Sequence, residues 1–252
     1  MISTARTLLT LLLSLCVLRG AEQPGKAPSK SASPPAEAAE APKPASHETR
    51  SLEGWTIHID QRLLEGPDKA LGGRAVRLLG DRLYEIKLVV PAERVRQLQE
   101  VPIWLDLTHG KLKRMQYHPS AAWLRANGYA TNLVKCAHIP VAAEFANPQH
   151  HRTQPWCVLH ELAHAYHDRV LGFEHEGIKT AWLRAVEGKK LESVLRINGR
   201  MDRHYALMDQ KEFFAEMTEA YFGMNDFYPF NRAELQQSDP ETFKLLREIW
   251  EH

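Results

Sequence analysis

TQPWCVLHELAHAYHDRVLG, residues 153–172, is the stretch on which the reading of this chain turns. Thr153 can serve as N-cap, Pro155 falls in the first turn and Gly172 supplies a stop, so the punctuation predicts one helix over 154–171. Trp156, Val158, Leu159, Leu162, Ala163 and Tyr166 give that helix an apolar face to bury. In its middle stands His160-Glu161-Leu162-Ala163-His164, an H-E-x-x-H motif. Side chains at i and i+4 lie one above the other on a helix face, so both imidazoles can reach one metal ion. Neutral imidazole suits Zn2+, and two histidines with one further protein ligand leave an open position for water. Glu161 projects beside that water and can serve as its general base. Zinc lowers the pKa of such a water to about 7, which opens carbonyl hydrolysis near neutral pH.

The third ligand has to come from elsewhere. His167 lies seven residues beyond His160, about 10 Å along the axis, too far to share a tetrahedral site with the first pair. The extended pattern H-E-x-x-H-x-x-G-x-x-H is excluded, because positions 167 and 170 hold His and Val. Asp168, Glu174, His175 and Glu176 follow too soon after the helix. The segment from Tyr205 to Glu216 offers more. Asp209 caps a helix predicted to run to about Phe222, with Gly223 as its stop, and Glu212 and Glu216 stand at i and i+4 on it. One carboxylate can ligate the metal while the other hydrogen-bonds a ligating histidine and fixes its ring. Competing with this are a capping box, Asp209-x-x-Glu212, and a solvated acidic face for Glu216 and Glu219.

Downstream of H-E-x-x-H, the string Y-x-x-x-x-x-x-E-F-F-A-E from Tyr205 to Glu216 resembles the catalytic domain of anthrax lethal factor and its secreted relatives. The motifs span roughly Trp156 to Phe222, and the resemblance implies a zincin-like metallopeptidase fold for 51–252. It further implies that His160, His164 and Glu212 ligate one Zn2+ and that Glu161 is the base. Tyr205 would then stabilise the oxyanion or protonate the leaving amine, and Glu216 would support a ligating histidine. No stretch of the 252 residues resembles the toxin's large receptor-binding and substrate-recognition regions, so the resemblance does not extend to host-cell delivery.

The remaining sequence frames this domain. Hydrophobic residues make up 44% and charged residues 25%, enough of the former for a sizeable core. Lys plus Arg (32) nearly cancels Asp plus Glu (31), which argues against a nucleic-acid binder. Leu8 to Leu18 is a short apolar core behind Arg6, followed by Gly20 and Ala21, and reads as a signal peptide over 1–21. The expected destination is secreted, periplasmic or extracellular, with no stable membrane span after cleavage; an uncleaved anchor is the alternative. Residues 22–50 contain no Leu, Ile, Val, Phe, Trp or Tyr and read as a disordered spacer.

Strands are expected at Trp55–Asp60, Val101–Leu107 and Cys136–Phe145, and Pro140 places the last at a sheet edge, where a peptide could add as a further strand. Helices are expected at Ala70–Leu88, within His118–Asn127, at Ile178–Ile197 and at Pro240–Trp250. Strands before helices give an α+β class: a small sheet with an edge strand, the active-site helix and a downstream glutamate-bearing helix. Cys136 and Cys157 either form a bridge or stay buried thiols. His150 and His151 read as loop residues, and Phe173 to Glu176 as solvated. The expectation is a monomeric, secreted zinc metalloendopeptidase acting on a peptide or protein substrate. Its rivals are a zinc hydrolase of a non-protein amide, such as a cell-wall component, and a non-catalytic zinc-stabilised binding module. Glu161 and Tyr205 weigh against the last, since a structural zinc site needs neither.

Overall fold

Two strands, β1 (His47–Leu52) and β2 (Trp55–Asp60), pair antiparallel from His47↔Asp60 to Leu52↔Trp55. Glu53 and Gly54, both at positive φ, turn the hairpin. The computed structural model describes residues 40–252, so the expected signal peptide and most of the expected spacer lie outside the described residues. β1 crosses the boundary expected between Arg50 and Ser51. Its side chains largely face solvent, so it needs no apolar residues; it joins the fold through its backbone ladder to β2. Trp55, Ile57 and Ile59 alternate into the core from β2, as the pattern predicts.

The chain then crosses through α1 (Lys69–Val89) and α2 (Ala92–Gln99) to β3 (Ile103–Leu105), which runs parallel to β2. Ala75, Leu79, Leu83 and Ile86 supply the buried stripe of α1 at spacings of three and four. Two more strands follow, β4 (Gln116–Tyr117) and β5 (Ala137–Ile139), separated by α3 (Ala121–Ala126), whose N-cap is Ser120. The sheet order is β1-β2-β3-β5-β4, with β5 parallel to β3 and antiparallel to β4. The class is mixed α and β as expected, although a helical crossover between parallel strands replaces the expected separation of strands from helices.

The edge assignment changes. The strand expected over 136–145 ends at Ile139 and lies inside the sheet; the edge beside it is the two-residue β4. Pro140 follows β5 instead of standing within it, so its missing N–H costs no ladder bond, and α4 (Ala142–Phe145) begins two residues later.

A short α5 (Pro148–Thr153) precedes the motif helix α6 (Cys157–Tyr166). Thr153 closes α5 rather than capping α6: its hydroxyl turns back to the Gln149 and His150 carbonyls, both at 3.1 Å. After Tyr166 the helix widens to a π turn, His167–Leu171, and ends at Gly172, whose φ of 80° suits glycine. α7 (Glu176–Gly188) stops where Lys189 turns left-handed, and the expected continuation to Ile197 is instead a small hairpin, β6 (Val194–Leu195) with β7 (Met201–Asp202). α8 (Gln210–Phe222), α9 (Arg232–Ser238) and α10 (Pro240–Glu251) complete the fold.

α6, α8 and α10 pack through one buried cluster. Trp250 lies between Tyr166 and Phe214, with ring centroids at 4.4 and 5.8 Å. Truncating such a side chain to Ala costs about 3–5 kcal/mol, so this contact fixes the distance between the two helices that carry the motifs. Gly223 ends α8 against Trp156, where an added Cβ would sit 2.0 Å from Cε2 of the indole. Cys136 and Cys157 are free and buried in separate parts of the core, which decides between the two readings of the pair. Among the described residues no helix is long and apolar enough to cross a membrane.

Candidate metal centre

α6 and α8 both line a cavity of about 1180 Å³. His160 Nε2 lies 3.1 Å from His164 Nε2 and 3.1 Å from Glu212 Oε2, and His164 Nε2 lies 3.3 Å from the same oxygen. Donors on a tetrahedron with bonds of about 2.0–2.1 Å stand about 3.3 Å apart, so these atoms have the spacing of one tetrahedral face. The sequence motifs, 52 residues apart at His160 and Glu212, therefore meet. Asp209 also caps α8, accepting from the N–H groups of Lys211 and Glu212 at 2.8 and 3.0 Å. The competing capping-box reading holds only for this Asp209 half; the Glu212 carboxylate turns into the cavity toward His160 and His164.

The chemistry of the donors fits a cation. His160 Nδ1 is 2.7 Å from Glu219 Oε1. A ring that donates there presents a lone pair at Nε2 to the Glu212 carboxylate, and two acceptors face each other unless a cation or proton lies between them. Without a cation a proton takes that place. Burial alone would lower the His160 pKa, but its hydrogen bonds to Glu212 and Glu219 outweigh burial and raise it well above the usual value. For Glu212 burial acts to raise the pKa, and hydrogen bonds from His160 and His164 instead hold the carboxyl well below the ordinary range. Seven carboxylates line the cavity, Glu144, Glu161, Asp202, Glu212, Glu216, Glu219 and Asp226, and of the four that are buried, Glu161, Glu216, Glu219 and Asp226, Arg196 offsets only Asp226, at 2.9 Å. Burial and then the neighbouring Glu219 push Glu216 well up, and its Oε2 has no hydrogen-bond partner. A divalent cation at His160, His164 and Glu212 would offset this surplus of buried negative charge.

Support for His160 was expected from Glu216; the geometry gives it to Glu219. Glu216 Oε1 stands 3.7 Å from His160 Nδ1, against 2.7 Å for Glu219. Nor do the two form a solvated face, being 3% and 4% exposed. Glu212, Glu216 and Glu219 fall at i, i+4 and i+7, one face of a helix whose other residues from Phe213 on are apolar except Thr218, and that spacing was the signal available in the sequence.

Glu161 is buried, and its Oε2 accepts a 2.7 Å hydrogen bond from the backbone N–H of Tyr117 on β4. Burial raises its pKa, against the opposing effect of His160 and His164. Tyr205 opens a short 3-10 turn ahead of α8 and lines the same cavity. Burial, followed by the Glu212 charge, raises its phenol pKa, so the hydroxyl keeps its proton. All six expected site residues, His160, Glu161, His164, Tyr205, Glu212 and Glu216, thus meet in one cavity.

Most of the remaining candidates separate from this cavity. His167 is buried with both ring nitrogens unpaired, among Phe173 and Phe214. Asp168 accepts from the Tyr117 hydroxyl at 2.8 Å, and His175 caps α7 by accepting from the Ile178 N–H at 3.3 Å. His150 and His151 lie in α5 rather than in the expected loop; His150 lines the cavity, while His151 Nε2 donates to the Phe145 carbonyl at 2.5 Å. Of the run Phe173 to Glu176, expected to be solvated, Glu174 and Glu176 are exposed, whereas His175 is half-buried and Phe173 packs half-buried against the core.

A second donor cluster was not anticipated. Asp106, fully buried after β3, receives His47 Nε2 at 2.7 Å, His109 Nδ1 at 2.6 Å and His138 Nε2 at 2.8 Å. Those separations are shorter than the edge of a zinc tetrahedron, about 3.3 Å, and match hydrogen bonds from three imidazoles to one carboxylate. Burial would raise the Asp106 pKa, but these bonds hold it far below the ordinary range. Its partners come from β1, β5 and the loop after β3, so no local sequence pattern marks it. Comparison with protein-family models, curated proteins and solved structures found no match to this chain.

Proposed function

We propose that this chain is a secreted zinc metalloendopeptidase. The observation that carries the reading is the three-donor face of His160 Nε2, His164 Nε2 and Glu212 Oε2, with separations of 3.1–3.3 Å, in a cavity that also holds Glu161 and Tyr205. Two histidines and one glutamate are a donor set of catalytic zinc sites, which keep a position open. Zinc in such a set supplies Lewis acidity, polarising a carbonyl and acidifying water.

The chain's own residues supply the rest. Glu161, held by the Tyr117 N–H, takes the proton from the attacking water and can return it to the leaving amine. Tyr205 keeps its proton and can donate a hydrogen bond to the carbonyl oxygen as charge develops there. Glu219 fixes the His160 ring so that Nε2 faces Glu212 and His164. β4 is the sheet edge beside Glu161, and an extended peptide can be laid along it by strand addition.

The test is cleavage of a diverse peptide library by the zinc-supplied protein with and without chelator. Chelator-sensitive cleavage is expected. A folded protein that binds zinc and cleaves nothing would exclude a broad peptidase, and one that binds no zinc would remove the basis of the proposal.

A further inference from the structure

Four cationic side chains line the cavity: Lys113, Arg114, Arg196 and Arg203. Arg196 is committed to Asp226 at 2.9 Å, and Arg203 to Glu192 at 3.0 Å. Lys113 and Arg114 are exposed and, among the described residues, have no side-chain partner. They stand immediately before β4, the edge strand whose Tyr117 N–H holds Glu161. α4 also contributes the exposed Glu144 to the lining, close enough to His150 to raise its pKa against the larger opposing effect of burial. Lys113 and Arg114 are therefore the two cations of the lining left free to meet a ligand.

From these two free cations we infer that the cleft selects peptides with acidic side chains, recognised by Lys113 and Arg114 a few residues from the bond beside Glu161. Arg114 is three residues from Tyr117, and the chain spans at most about 3.3–3.6 Å per residue, so its reach starts within about 10 Å of the Glu161 contact. A peptide paired to β4 advances at about 3.3 Å per residue, which sets the acidic position roughly three residues from that bond. Both cations are solvent-exposed, so each contributes a modest, salt-screened preference. Their free state matters for the same reason: a cation already paired within the protein would have to exchange partners before meeting a substrate carboxylate.

The inference takes its ligand class from the proposed peptidase function, and its test reads binding without turnover. Short fluorescent peptides of one apolar frame, carrying Glu, Gln or Lys, are titrated by anisotropy into the zinc-supplied full chain with Glu161→Gln. The Glu peptide is expected to bind roughly threefold to tenfold tighter than the Gln peptide, and the Lys peptide weaker than both, with the differences shrinking as salt is added. Adding Lys113→Glu and Arg114→Glu should invert the order, and Lys113→Gln with Arg114→Gln should flatten it. Equal binding of all three peptides, or an order unchanged in the charge-reversed protein, overturns the inference. A wild-type protein that cleaves none of these peptides, yet shows this order of binding, overturns the hydrolytic reading and leaves the charge selection standing.

Discussion

Replacing Glu219 with Ala should weaken zinc binding more than replacing Glu216, although a local reading of the second motif ranks them the other way. Glu219 Oε1 lies 2.7 Å from His160 Nδ1, and the nearest Glu216 oxygen lies 3.7 Å away, beyond hydrogen-bond reach. Removing the carboxylate frees the His160 ring to rotate and to place its proton on Nε2, the nitrogen 3.1 Å from Glu212. Losing such a supporting bond typically costs about 10–100-fold in metal affinity, which is about 1.4–2.8 kcal/mol. Glu219→Gln can still accept through its amide oxygen and should fall between Ala and wild type. Glu212→Ala removes a ligand and should cost more than any of these. The assay is competition for zinc against a chelator of known affinity, with circular dichroism confirming that each variant is folded. Equal affinity in wild type and Glu219→Ala, beside a loss in Glu216→Ala, would refute the assignment of support to Glu219.

Three further outcomes follow from the same geometry. Burial and the neighbouring His164 lower the pKa of His167 to about 4, so the ring is neutral in the fold and takes up a proton on unfolding between pH 6.5 and 4. Because the unfolded chain binds more protons in that window, stability should be level above pH 6.5 and fall below it, by up to about 3 kcal/mol from this ring; denaturant unfolding of His167→Phe should show a shallower acid slope. Tyr117→Pro removes the N–H held by Glu161 without breaking a ladder bond, since that N–H points away from β5. A hydrogen bond to a charged group is worth about 1.5–3 kcal/mol, so turnover should drop roughly tenfold to a hundredfold below Tyr117→Phe, the control for the lost phenol. Asp106→Ala leaves three imidazoles without their common acceptor and should lower stability by about 3–5 kcal/mol, measured as an earlier denaturant midpoint with unchanged m-value.

The parts of the site legible in the sequence are those set by local periodicity. H-E-x-x-H fixes two imidazoles on one helix face whatever the helix packs against, and Asp209 marks the start of α8 by its own side-chain bonds. The parts not legible depend on partners far along the chain. Glu219 meets a ring 59 residues away, and the Tyr117 N–H meets Glu161 from 44 residues away through a strand of only two residues. So short a strand has no alternation to detect, and β1 hides for a related reason, since most of its side chains face solvent. Cys136–Phe145 misled because Pro140 acts one residue past the strand rather than within it. The i, i+4, i+7 spacing of Glu212, Glu216 and Glu219 was readable, but only the packing of α8 against α6 shows that this face looks inward.

The most direct test of the central claim is Glu161→Gln beside the wild type, with bound zinc and peptide cleavage measured on the same preparations. One zinc per chain in both proteins, with chelator-sensitive cleavage in the wild type and none in the variant, is the expected result. Cleavage at the wild-type rate by Glu161→Gln would contradict the account.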